Sequence, residues 1–392
     1  MKTRTEGGSL MGTMNEWLRN LAHLLLFSGG ILLFLPMALL SETSGLLTFG
    51  AGWTGNHYED ASQSATMTGD LMARLALRST TDTGYDHWRL SAGAQGTFAL
   101  QDENAILAAI SWEHGVQLSD GLFQFGLDVD HDYIPHKDAR NYDDASWTRL
   151  GGTAHTALRL DSTESSFLIR YRGGYDAFPD HDLDAFEHAL TLKFTYSLAI
   201  STIISLQVSG FQTLYSERNT VDALGNATDD QTRDLGLDGQ ITLEHWLDAT
   251  TGLFLDAMIG RKASTANLYF FGPGETVLVF DGDEVFFNDF DSYSEFSAES
   301  GLTRRMGNLL ARIRLGFRQR WYDDRPPFAK NDTPDAAGAC RTSRFDLSVS
   351  LDLELNEDST LETSCSGFII TSNDEKLQSD GIGFRLGLKL LL

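Results

Sequence analysis

Arginine residues recur at two-residue steps in one segment near the end of the chain. The segment alternates basic and apolar residues with a single gap at Gly316, and its basic members are Arg312, Arg314, Arg318 and Arg320. Because successive side chains of a β-strand point to opposite faces, this alternation predicts a strand with one basic and one apolar face. Charges on the basic face would follow one another at about 7 Å. Such a row can attract and order charged solutes.

Further charged residues lie on the polar face of other alternating segments. Together with the four arginines they are the candidate lining of a charged wall. The basic members are Arg74, Arg78, Arg385 and Lys389, and the acidic members are Asp234, Asp238, Glu244, Asp346, Asp352 and Glu354.

The remaining reactive residue types do not form a catalytic or metal motif. The 10 His residues are scattered, and none lies in a Gly-x-Ser-x-Gly or His-Glu-x-x-His setting. Cys340 and Cys365 lack metal-type spacing, and we expect them to stay unpaired. A formal charge of −25 argues against a nucleic-acid partner, which needs basic patches. We expect no enzymatic activity, no cofactor and no metal site.

Two acidic clusters suggest cation binding but do not have the spacing of a calcium loop. One spans residues 281–291, and the other consists of Asp128, Asp130 and Asp132. We interpret both as solvated surface acid.

Period-two alternation extends through the chain and ends at its last residue. Residues 382–392 alternate apolar residues with small or basic ones, over a length that spans the hydrocarbon of a bilayer when tilted. A soluble sandwich would also alternate, but it would need a second sheet to cover its apolar face. We therefore predict an all-β fold, a transmembrane antiparallel up-and-down β-barrel over residues 42–392. About sixteen strands are expected, with about fourteen as the alternative.

The strands are predicted from the alternation, and the connections between them differ in length. Every proline after residue 41 falls in a long connection, as expected for a residue that cannot donate to a strand ladder. The strand count depends on whether residues 101–104 join the short or the long connections. The predicted strands are 46–55, 65–78, 87–100, 104–118, 122–134, 147–160, 165–175, 186–199, 202–215, 232–247, 252–270, 290–305, 309–322, 344–355, 360–371 and 380–392.

The first 41 residues differ from the rest of the chain. Lys2, Arg4 and Arg19 precede an apolar run that extends from about Leu21 to Leu40. This arrangement predicts a secretory signal peptide over residues 1–41. A retained membrane anchor is the alternative, since about 20 apolar residues can span a bilayer.

The whole pattern resembles the porin-like outer-membrane β-barrel proteins of Gram-negative bacteria. Two segments are more loosely similar to the barrel portion of surface lipoprotein assembly modifiers: Gly50–Asn56, and the Arg312–Tyr322 strand with the closing hairpin that ends at Phe384–Leu388. The resemblance implies a location in the outer membrane and insertion by the barrel-assembly machinery. It also implies contact with the lipid bilayer and with lipopolysaccharide.

Inside such a barrel the charged face must point inward, because arginine on the lipid face costs about 2–4 kcal/mol at the bilayer midplane. We predict a channel for passive diffusion of small hydrophilic solutes through a charged lumen. The alternatives are a closed surface barrel whose acidic loops bind a partner or cations, and an export pore for surface lipoprotein or polysaccharide. Ion pairs that only hold a closed barrel together would give the same charged face.

Overall fold

The computed structural model describes residues 42–54, 66–81, 83–97, 105–119, 121–133, 147–159, 165–177, 184–221, 226–266, 268–270, 285–287, 291–329, 338–375 and 377–392. The predicted signal peptide and all of the acidic cluster at 281–291 except Val285–Phe287 and Asp291 lie outside these ranges. The described residues contain no helix long and apolar enough to cross a membrane.

Eighteen strands account for nearly all of the described residues. They are β1 (Glu42–Thr54), β2 (Thr66–Thr81), β3 (Gly84–Thr97), β4 (Ala105–Leu118), β5 (Gly121–Tyr133), β6 (Trp147–Arg159), β7 (Ser165–Ala177), β8 (Ala185–Ala199), β9 (Thr202–Val221), β10 (Ala227–Trp246), β11 (Thr251–Ser264), β12 (Leu268–Phe270), β13 (Val285–Phe287), β14 (Tyr293–Met306), β15 (Leu309–Tyr322), β16 (Arg341–Asn356), β17 (Ser359–Ser372) and β18 (Ser379–Leu391).

Sixteen of these strands form one closed barrel in which each strand is antiparallel to the strands beside it. Neighbours in the barrel follow chain order, and β18 pairs with β1 to close the ring. The predicted up-and-down barrel of about sixteen strands is confirmed. The fourteen-strand alternative is wrong, because both β1 and β5 belong to the barrel.

The predicted strand at 252–270 is too long. The barrel strand β11 ends at Ser264, and β12 pairs only with β13 in a separate two-stranded ribbon. Local hydrogen bonds end the ladder, since the Ser264 backbone N–H donates to Ser292 Oγ and the Ala266 N–H donates to Ser264 Oγ. Such side-chain acceptors offer the backbone an alternative to strand pairing.

The register separates the residues of the barrel into an outer and an inner set. Directly paired residues share a face, so a row of partners can be followed from strand to strand. One row joins Leu255, Ser300, Leu315, Leu347, Gly367 and Ile382, and its leucine and isoleucine side chains are exposed on the outside. The next row joins Gly301, Arg314, Ser348, Ser366 and Gly383 on the inside. The outer surface is therefore apolar and suited to lipid.

The two rims differ in the length of their connections. β14 and β15 are joined by Gly307 and Asn308, and Gly307 takes the left-handed conformation with φ 64°. Between β10 and β11, the Thr250 hydroxyl and N–H donate to the Asp248 carboxylate and lower the pKa of that group. β1 begins and β18 ends at this short-turn rim, while the long connections lie at the opposite, long-loop rim.

Both cysteines are free thiols, as predicted. Cys340 lies just before β16 and is buried, and this burial raises the pKa of its thiol. Cys365 pairs in register with Val349 and Phe384, so it lies on the outer face of the barrel. The two side chains are therefore placed apart.

Closure of the barrel depends on the pairing between β1 and β18, and this pairing can be tested by truncation. Deleting residues 387–392 removes five of the nine register pairs of this seam, from Gly50↔Gly387 to Leu46↔Leu391. An open strand edge cannot remain in lipid, so we expect no insertion and a protease-sensitive product. The measurement is heat-modifiable mobility of the outer-membrane fraction in gel electrophoresis. Lys389→Ser, which keeps the ladder, is the control, and normal insertion of the truncated chain would contradict the closed seam.

Candidate functional site: a charged inner wall

The register places every predicted wall residue on the inner face. On β15 the basic residues pair with inner residues of β16, as in Arg312↔Ser350 and Arg318↔Arg344, whereas Phe317 pairs with outward Phe345. Following the register pairs round the barrel in the same way shows that the other predicted residues also lie on its inner face. They are Arg74, Arg78, Arg385, Lys389, Asp234, Asp238, Glu244, Asp346, Asp352 and Glu354.

Three of the four arginines of β15 form ion pairs with carboxylates of the neighbouring strands. Arg312 Nη1 lies 2.6 Å from Asp352 Oδ2 on β16. Arg314 Nη1 lies 3.5 Å from Glu299 Oε1, and Arg320 Nη2 lies 2.6 Å from Glu295 Oε2. Both glutamates belong to β14. Asp352 was predicted from the sequence and the two glutamates were not, although their four-residue spacing within an alternating segment places both on one face of a strand.

Other predicted residues have partners that the sequence analysis did not name. Asp346 binds Arg344, Glu354 binds Arg305, Asp234 binds Lys262 and Arg385 binds Asp70, at 2.7–2.8 Å. The Arg78 guanidinium lies 4.8 Å from the centre of the Tyr85 ring. Within the described ranges, no ion pair involves Arg74, Lys389, Asp238 or Glu244. The inner wall thus combines paired and unpaired charges.

The interpretation of Asp128 and Asp130 as surface acid is wrong. Both lie on the inner face of β5, where Asp130 pairs in register with Arg149 of β6. In the closed strand order, β5 and β15 are separated by eight steps in either direction. The two aspartates therefore lie on the wall opposite the arginines of β15, and the neighbouring Arg149 of β6 and Arg172 of β7 also face inward on that wall.

The exposure of the inner charges changes along the barrel axis. Near the long-loop rim, the side chains of Asp234 and Glu295 are only 8% and 10% exposed. Closer to the short-turn rim, Arg314 and Glu299 are 55% and 44% exposed. These two side chains face the inside of the barrel, so their exposure is to lumen water. The inner charges are therefore more exposed at the level of Arg314 than toward the long loops.

One ion pair crosses the closing seam. Arg385 of β18 reaches over Gly50 of β1 to Asp70 of β2, with 2.8 Å between Arg385 Nη2 and Asp70 Oδ2. A Cβ atom at position 50 would lie 2.8 Å from Arg385 Nη2 and would also collide with Asp70. Because position 50 is glycine, the side chains of Arg385 and Asp70 have the room to form their ion pair.

Aromatic residues border the apolar outer surface. Trp53 and Trp321 lie on the outer face near the long-loop rim, and Trp88 lies on it near the short turns. The Trp53 ring stacks on Phe384 at 6.2 Å, and Trp88 lies 5.9 Å from Trp112. Aromatic side chains at both ends of an apolar band are typical of residues at membrane interfaces.

The chain has no match among protein-family models or curated sequences. It resembles several solved structures. One is the trimer form of OmpT, an outer membrane protein of Vibrio cholerae, with 10% sequence identity and a TM-score of 0.48. The match covers 90% of this chain and 99% of the OmpT chain. Pseudomonas aeruginosa OprD has 11% identity, TM-score 0.47, and 90% and 95% coverage. Acinetobacter baumannii OccAB2 has 9% identity, TM-score 0.44, and 90% and 98% coverage.

The strand order and the register determine the fold of this chain. A closed antiparallel ring of sixteen strands, apolar outside and charged inside, is the architecture of outer-membrane β-barrels. This protein is a membrane-spanning β-barrel.

The ion pair across the seam gives a stability prediction. Gly50→Val should displace Arg385 from Asp70 and lower the free energy of unfolding by about 1–3 kcal/mol, as overpacking does. The temperature at which the barrel loses its folded electrophoretic mobility should fall. Gly210→Val is the matched control, because a Cβ there would meet one atom at 3.8 Å. Equal transition temperatures of the two variants would show that the space over Gly50 does not contribute to stability.

Proposed function

We propose that this protein is an outer-membrane channel for the passive diffusion of small hydrophilic solutes. Selection would depend on the width of the lumen and on the charges of its wall. The surrounding bilayer and lipopolysaccharide would be its lipid partners, and the barrel-assembly machinery would insert it. The observation that carries the proposal is the exposure of Arg314 and Glu299 inside a closed barrel.

The size of the barrel supports this proposal. A ring of eight strands is filled by its own side chains, whereas rings of about 16–18 strands leave room for an aqueous channel. Large parts of the inner face carry glycine or serine, as in the row of Gly301, Ser348, Ser366 and Gly383. Short side chains leave more of the cross-section free for water.

The charges of the inner wall support selectivity. Charged side chains line opposite walls, as the arginines of β15 and the aspartates of β5 do, so a passing solute meets charged groups on each side. In a water-filled pore each charge is screened over about 8–10 Å at physiological salt. Charges on the wall therefore affect ions that pass close to them.

A barrel closed at the long-loop rim is the second candidate. It is favoured by the low exposure of Asp234 and Glu295, which are bound to Lys262 and Arg320. The Arg320 guanidinium also lies 4.0 Å from the centre of the Tyr293 ring. In a closed barrel, this cluster of paired charges packed against an aromatic ring would block this end of the lumen. The candidates differ in whether purified protein conducts ions.

Opposite charge changes at one level of the lumen should have opposite effects. Arg314→Ser should shift the reversal potential in a salt gradient toward cation selectivity, and Glu299→Ser should shift it toward anion selectivity. Both shifts should grow at low salt, where screening is weaker. The measurement is planar-bilayer recording of purified protein.

The control for this experiment is Arg304→Ser. Arg304 pairs in register with Ala311 on the outer face, so its loss should leave the reversal potential unchanged. Absence of conductance in the unaltered protein would favour the closed barrel. If the protein conducts ions and Arg314→Ser and Glu299→Ser both keep its selectivity, the ion pair of Arg314 and Glu299 does not influence the passing ions.

A further inference from the structure

A carboxylate lies on the outer face of the barrel near the short-turn rim. Asp86 of β3 is the register partner of Ser79 on β2 and of His114 on β4, and it lies two residues from outward-facing Trp88. A charged side chain on the lipid face is costly at the bilayer midplane and much less so near the interfaces. Asp86 is the third residue of β3, so its carboxylate lies near the edge of the apolar band, at the level of lipid head groups.

Two side chains of β4 hold this carboxylate in place. Trp112 Nε1 donates to Asp86 Oδ1 at 3.1 Å, and His114 Nδ1 lies 3.0 Å from the same oxygen. In the part of the chain that the structure describes, Asp86 Oδ2 accepts no hydrogen bond, and the side chain is 41% exposed. The second carboxylate oxygen is therefore accessible to a donor from outside the barrel.

Three successive rows of this outer wall change in polarity with distance from the rim. The row nearest the rim is polar, the second is mainly aromatic and the third is aliphatic. In that order their members are Ser79, Asp86 and His114, then Leu77, Trp88 and Trp112, then Leu75, Leu90 and Ile110. A phospholipid changes in the same order from its charged head group through the interfacial region to its acyl chains. The wall is therefore graded to match one phospholipid molecule standing against it.

We propose that Asp86, Trp88 and Trp112 form a binding site for a phospholipid whose head group ends in a primary ammonium. The ammonium would donate to Asp86 Oδ2 in a charge-assisted hydrogen bond. The two indole rings, whose centres are 5.9 Å apart, provide aromatic surface that attracts a cation. The exposed Ser79 hydroxyl beside Asp86 can donate to the lipid phosphate. This site lies outside the lumen, so it does not rest on the proposed channel function.

Native mass spectrometry of the full chain in detergent micelles counts bound lipids without requiring conductance. Phosphatidylethanolamine and phosphatidylcholine with the same acyl chains are the probes. Both head groups have no net charge, and only the first has ammonium N–H donors. We expect the unaltered protein to retain phosphatidylethanolamine about tenfold more strongly, the difference that one charge-assisted hydrogen bond makes.

Asp86→Asn should remove this preference. The asparagine side-chain oxygen still accepts hydrogen bonds from Trp112 and His114, so we expect the variant to fold, which heat-modifiable electrophoretic mobility checks. Asp128→Asn is the matched control, because it loses the same charge on the inner face of β5. Its preference for phosphatidylethanolamine should equal that of the unaltered protein.

The comparison of the two lipids on the unaltered protein tests the site even if Asp86→Asn does not fold. Equal retention of both lipids would overturn the hydrogen-bonded ammonium site. A preference that persists in Asp86→Asn, or that is lost equally in Asp128→Asn, would also overturn it. If neither lipid is retained, the phospholipid assignment is wrong, and a lysine side chain of another protein would be the remaining occupant. A barrel that does not conduct ions would leave this site standing.

Discussion

The structure depends on one constraint, which is that backbone N–H and C=O groups inside a membrane must pair with each other. Each unpaired group in lipid costs several kcal/mol, and a sheet meets the requirement only when its two edges join. The pairing of β1 with β18 therefore determines the whole arrangement. Once the ring is closed, alternation leaves each side chain only two environments, lipid or lumen. The arginines of β15 then face inward, since a guanidinium group costs more free energy in lipid than in the lumen.

The inner wall has to accommodate many charges, and the structure does this in two ways. Some pairs lie on adjacent strands, as Arg320 and Glu295 do, and these pack together toward the long-loop rim. Others, such as Arg314 and Glu299, remain exposed to water. Glycines are placed where a charged side chain needs room, with Gly50 under Arg385 and Gly316 beside Asp346. The ion pair is therefore largely buried at one level of the inner wall and exposed at another.

Strand positions and faces could be predicted from the sequence because they depend on local alternation. β15 has the predicted bounds, 309–322, and its arginines face inward as expected. Ion-pair partners could not be predicted in the same way. They depend on the register between strands, which turns and rim contacts set; Glu295 and Glu299 therefore escaped notice. The position of Asp128 opposite β15 depends on the total number of strands, which no single segment encodes. The end of β11 at Ser264 depends on Ser292, which is distant in sequence.

The central claim is that β15 has one face in lipid and one in lumen water. It can be tested by single cysteines at positions 311–318 of a chain in which Cys340 and Cys365 are replaced by alanine. Each variant would be treated with a charged, membrane-impermeant methanethiosulfonate reagent, and the fraction labelled would be measured by mass spectrometry. Labelling should alternate, with cysteines at the even positions 312, 314, 316 and 318 modified and those at the odd positions protected. Uniform labelling, or protection of the even positions, would contradict a water-filled barrel.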